Sequence, residues 1–181
     1  MFYFTNNNSS GSLSKVATSD SLIDRTIEFV KTSLVPWRDD PTRESATSEE
    51  ELNAQFQNYL QARATKEFPM VMFQHEQRQV GRRRVDISAK PTATTTIIEG
   101  ISYSKYSPFI VLEGKRLPTK PKAREKEYIT GEPEISGGIQ RFKLGLHGID
   151  HKTVIIIGYV QEHSPKYWFG KINEWMSSLS S

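Results

Sequence analysis

The chain contains no cysteine, which excludes disulfides and thiolate zinc sites. It has no apolar run near the roughly 18 residues a membrane helix requires, so no membrane span is expected. The opening stretch, Met1-Phe2-Tyr3-Phe4-Thr5-Asn6-Asn7-Asn8, lacks a basic start and a long apolar core and makes a poor signal peptide. Histidine is scarce, and His75, His147, His151 and His163 do not fall at metal-ligating spacing. A large charge imbalance is missing too, since the net charge is +3 over 181 residues. These absences fit a cytoplasmic protein.

What is present suffices for one domain and hardly for two. Hydrophobic residues make up 36% of the chain, enough for a packed core. Residues 1–19, rich beyond Thr5 in Ser, Asn, Thr and Gly, read as a flexible lead-in, and 20–181 as a single domain. Ser19-Asp20 is placed to cap a helix over Ser21–Leu34 that Pro36 then stops. A second helix starts at Ser48-Glu49-Glu50-Glu51, a capping-box pattern. At about 100° per residue, Leu52, Phe56, Tyr59 and Leu60 share its apolar face. Glu49 lies at the edge of that face, and Glu50 and Glu51 point away. Strands follow at Met70–His75, Arg83–Ala89 and Phe109–Gly114, with Thr94–Ile98 in an inserted hairpin. Gly137-Gly138 precedes a short helix at Ile139–Leu144. Val154–Val160 reads as a central strand and Tyr167–Leu179 as a last helix, in which Trp168 and Trp175 are expected core or interface residues.

Two of these strands carry charge between apolar neighbours: Val85-Asp86-Ile87 and Leu112-Glu113-Gly114-Lys115. Such strands are usually buried, and a buried carboxylate is costly unless paired or bound to metal. Alternation puts Glu113 and Lys115 on one face of their strand, where Asp86 on the neighbouring strand can meet them. Two carboxylates one strand spacing apart suit a hard cation, Mg²⁺ or Mn²⁺. The carbonyl of Gly114 is a further candidate ligand, and Glu49 can complete the site from the helix. Lys115 is suited to orient or deprotonate a water, or to offset developing negative charge.

This arrangement resembles the PD-(D/E)xK nuclease superfamily, the restriction-endonuclease-like fold. The residues that carry the likeness are Asp86 on a hairpin strand, Glu113-Gly114-Lys115 on the next strand, and the acidic helix start with Glu49 or Glu50. Gln140, in Gly138-Ile139-Gln140-Arg141-Phe142, looks like the polar helix residue many members carry behind the site. Val85 stands where many members have proline. The resemblance covers about residues 48–162. It implies an α/β fold with an αβββαβ core, a central mixed sheet flanked by helices, and divalent-metal-dependent hydrolysis of phosphodiester bonds. DNA is the expected substrate ahead of RNA, and an endonuclease is expected ahead of an exonuclease. Bacterial restriction or phage defence is the setting the family suggests.

Arg84 shares the Asp86 face, and Arg116 opens a basic segment with Lys120, Lys122, Arg124 and Lys126. These residues, with Arg141, are candidate phosphate contacts. A solvated edge or loop explains the same charges. A different class of function is also open: a catalytically silent nuclease fold that binds nucleic acid or protein. A homodimer or a regulatory protein partner fits either class.

Overall fold

Apolar residues along β-branched stretches pair into one mixed sheet with helices on both faces. A computed structural model of the chain describes residues 2–5, 21–46, 48–78, 84–119, 126, 129, 139 and 153–178. The elements are β1 (Phe2–Thr5), α1 (Leu22–Arg38), α2 (Glu49–Glu67), β2 (Val71–Arg78), β3 (Arg84–Pro91), β4 (Thr95–Ile98), β5 (Ile101–Ser104), β6 (Ile110–Leu117), β7 (Thr153–Val160) and α3 (Pro165–Ser178). Four strands run side by side as β7-β6-β3-β2, and β1 extends the sheet at the β7 edge. The β6–β7 pair is parallel, whereas β3–β6, β2–β3 and β1–β7 are antiparallel. Among the described residues no helix is long and apolar enough to cross a membrane.

Burial on both faces explains the unbroken apolar run of β7. Ile155, Ile157 and Tyr159 join Ile87, Ala89, Ile110 and Leu112 against Phe29, Val30, Phe56 and Leu60 of α1 and α2. Ile156 points the other way, with Leu117, into a second cluster with Trp168, Ile172 and Trp175 of α3. A buried side chain such as Phe56 or Leu60 contributes roughly 1.5–3 kcal/mol by leaving water. Thr95–Ile98 and Ile101–Ser104 form a separate two-stranded hairpin, as the inserted segment suggested. Its turn has positive φ at Glu99 (48°) and Gly100 (78°), the backbone a tight two-residue hairpin turn requires.

Near the start of the chain, three points differ from the sequence reading. The lead-in is not structureless throughout, because Phe2–Thr5 pairs with β7; Phe-Tyr-Phe-Thr is a run of good strand formers, and it meets an open sheet edge. The first helix is capped by Ser21, whose Oγ accepts from Asp24 N at 3.1 Å, rather than by Ser19-Asp20. It also runs through Pro36 to Arg38. An internal proline costs a helix about 3 kcal/mol, but the last turn is held by tertiary packing. Trp37 is buried there, its ring centroid 4.9 Å from that of Phe56 and 5.7 Å from that of Tyr159.

Helix α2 also closes the outer edge of the sheet. Phe73 in β2 directs its backbone away from β3, where its N–H donates to Gln61 Oε1 (2.7 Å) and its carbonyl accepts from Gln57 Nε2 (2.8 Å). The two side-chain amides take the place of a neighbouring strand, which blunts an exposed edge. We expect Gln57→Ala/Gln61→Ala to lower stability by roughly 1–3 kcal/mol and to promote self-association through β2. Urea melts and size-exclusion chromatography check this, and an unchanged midpoint with a monomeric profile would contradict it.

Candidate active site

The register of β3 and β6 builds the site. Their paired residues run from Ala89–Ile110 to Ile87–Leu112. Asp86 and Glu113 are the next residues along, so they occupy neighbouring positions on one face where the ladder ends. Beyond that point the Gly114 N–H has the Asp86 side chain as its acceptor, with Oδ2 at 2.8 Å. Glu113 is only 5% exposed. Its Oε1 lies 3.1 Å from Lys115 Nζ, while its Oε2 is buried with no hydrogen-bond partner.

Helix α2 supplies the third carboxylate. Its capping box, Ser48 with Glu51, turns the start of the helix so that Glu49 faces β6. Glu49 Oε1 accepts from Lys115 Nζ at 2.8 Å, and Oε2 accepts from Arg116 N at 3.0 Å. Glu50 is exposed on the same turn. The structure therefore brings Asp86, Glu113, Lys115 and Glu49 together and leaves Glu50 outside the group.

Three carboxylates and one ammonium sum to a formal −2, with Glu113 buried and Asp86, Lys115 and Glu49 partly so. Burial and the nearby Glu113 carboxylate push Asp86 up to about 7, against the pull of Lys115 and the Gly114 N–H. Burial alone would weaken the charge on Lys115, but Glu113, Glu49 and Asp86 outweigh it and hold the ammonium above its usual range. Lys115 is thus a persistent cation rather than a base near neutral pH.

Among the described residues no three His, Asp or Glu side chains converge as a ready metal cage. A full cage is not required for Mg²⁺, which keeps several waters and binds through one or two carboxylates plus substrate phosphate. The unpartnered Oε2 of Glu113 and the destabilised charge on Asp86 provide two such oxygens. The residues present therefore fit a hard divalent cation.

Other expected residues fall elsewhere. Gln140, Arg141, Lys120, Lys122, Arg124 and Gly137-Gly138 lie outside the described residues, as does the side chain of Arg84. Arg116 follows Lys115 in β6 and is half-buried, and Lys126 is exposed. His75 is half-buried on β2.

Two residues at the site went unnoticed in the sequence. Asn53 and Tyr159 are buried behind Gly114, and the Tyr159 hydroxyl donates to Asn53 Oδ1 at 2.8 Å. A signal for Asn53 exists: it lies four residues after Glu49, on a helix face otherwise apolar.

Comparison with protein-family models, with curated proteins and with solved structures finds no match for this chain.

The raised Asp86 proton affinity has a consequence for stability. The unfolded carboxyl ionises near pH 4, whereas the folded one holds its proton to about 7. Between these values the folded state binds more protons, so Asp86 lowers stability progressively as pH rises and fully above about 7. Asp86→Asn keeps an oxygen for the Gly114 N–H and carries no charge. We expect it to match the wild type near pH 4 and to exceed it at pH 8 by on the order of 1–3 kcal/mol. Paired denaturant melts across pH 4–8 check this, and a constant difference would contradict it.

Proposed function

We propose that this chain is a divalent-metal-dependent nuclease of the PD-(D/E)xK type that hydrolyses phosphodiester bonds in DNA. One observation carries this reading: Asp86 and Glu113 sit side by side at the end of the β3–β6 ladder, with Glu113 Oε2 buried and unpartnered. A buried carboxylate oxygen without a partner is costly, and a cation there removes the cost. The match of residue types to that superfamily supports the same conclusion, as does a mixed α/β architecture with a helix, a hairpin and a third strand in the expected order.

Asp86 and Glu113, with the carbonyl of Gly114, would hold the cation. When bound, a divalent cation polarises the phosphoryl oxygen and offsets charge on the leaving group. Hydrolysis adds water across the P–O bond: the water oxygen joins phosphorus, the sugar oxygen leaves, and the water proton ends on that oxygen. Lys115, kept charged by its three carboxylates, donates hydrogen bonds to the attacking water or to the phosphoryl oxygens. Glu49 holds the Lys115 ammonium in place and fixes the β6 backbone at Arg116. Gln140, outside the described residues, is assigned by the resemblance to orient the site. Arg84, Arg116 and Arg141 are assigned to phosphates flanking the cut.

The direct test is incubation of plasmid and single-stranded DNA with Mg²⁺, Mn²⁺ or EDTA. Cutting is expected with either metal and not with EDTA, and Lys115→Ala is expected to abolish it. Glu113→Ala is expected to lower the rate on the order of 10³-fold or more. Undiminished cutting by folded Glu113→Ala protein would refute the assignment. Binding of DNA without cutting by any variant would favour the silent module instead.

Substrate binding has its own signature. Phosphate contacts by Arg84 and the 116–126 segment predict an affinity for DNA that falls steeply with salt, with a log–log slope that shrinks by about one per basic residue removed. Fluorescence anisotropy at several salt concentrations measures the slope. A flat response would remove these residues from the interface.

A further inference from the structure

Asn53 and Tyr159 form a polar pair inside an apolar core. Leu52, Phe56, Trp37 and Ile157 belong to the same core. Their mutual hydrogen bond only partly offsets the cost of burying an amide and a phenol, and apolar side chains of similar shape would pack there without that cost. The pair presses on one point of the chain, Gly114. A Cβ at Gly114 would lie 2.6 Å from Tyr159 Cε2 and would overlap Asn53 Oδ1. Glycine is therefore required there for close approach rather than for a special φ.

The other side of Gly114 is the site itself. Its N–H donates to Asp86, and its neighbours in sequence are Glu113 and Lys115. Asn53 also lies one turn beyond Glu49 on α2, and Glu49 accepts from Arg116 N. Four helical residues rise about 6 Å, close to the ~6.6 Å of two strand residues. Helix α2 thus meshes with β6 at two teeth, Asn53 at Gly114 and Glu49 at Arg116, which bracket Lys115.

We propose that Asn53 and Tyr159 are positioning residues of the site. Their hydrogen-bonded pair fixes the β6 backbone at Gly114, which aims the Gly114 N–H at Asp86 and sets the directions of Glu113 and Lys115. What the positioned groups then do rests on the nuclease reading above; the positioning itself is a matter of contacts.

Tyr159→Phe keeps the ring and removes the hydroxyl, and Asn53→Ser provides a second, smaller change. The first readout is the Gly114 amide in ¹H–¹⁵N spectra of glycine-labelled full chain, which needs no activity. In the wild type the short bond to Asp86 Oδ2 should place this proton downfield and protect it from exchange. Both variants should shift it upfield and speed its exchange at least about tenfold while leaving glycines distant from the site unmoved. The second readout is DNA cleavage by the same proteins, where kcat should fall on the order of 10- to 100-fold with KM nearly constant. An unmoved Gly114 amide in both variants would overturn the proposal. So would a moved amide with unchanged kcat. A wild type that cuts nothing, beside variants whose Gly114 amide moves, would leave the positioning intact and refute the nuclease reading alone.

Discussion

Excess negative charge in a sheltered place is the constraint around which this site is organised. Asp86, Glu113 and Glu49 surround Lys115, and one ammonium cannot balance three carboxylates. The protein relieves part of the imbalance by keeping a proton on Asp86 to about pH 7, and part through the Gly114 and Arg116 N–H groups. What remains is the buried Glu113 Oε2, for which the described residues supply no donor. On the proposed reading, a divalent cation, which prefers hard carboxylate oxygens, would supply the missing positive charge.

The fold places this charge where a ladder ends. Up to Ile87 and Leu112, β3 and β6 satisfy each other. One residue further, side chains take over, and the Gly114 amide turns to Asp86. The third element is α2, which crosses behind the sheet and touches it at several points. Gln57 and Gln61 seal the β2 edge, Asn53 abuts Gly114, and Glu49 reaches Lys115 and Arg116. A single helix thus joins the stability of the sheet edge to the geometry of the site.

Much of this could be read from residue order. Val85-Asp86-Ile87 and Leu112-Glu113-Gly114-Lys115 signal charge on buried strands because strand alternation leaves few other places for it. The capping box located α2 and put Glu49 nearer the core than Glu50, a matter of angle along a helix. Other features depend on contacts between distant parts of the chain. Pro36 ends a helix by local rules, but Trp37 packing on Phe56 and Tyr159 carries it on. Phe2–Thr5 looks like part of a polar lead-in until β7 offers an edge. Asn53 and Tyr159 are 106 residues apart, and no periodicity within either segment announces that they meet over Gly114.

The most direct measurement of the central claim is calorimetric titration of the full chain with Mn²⁺, beside Glu113→Gln, which keeps the shape of the side chain and removes its charge. One-to-one binding by the wild type that is lost, or weakened at least about tenfold, in the variant is the result expected of a carboxylate pair that holds a cation. Equal binding by both proteins, or none by the wild type, would contradict it and leave the cluster as an ion-pair network of the fold.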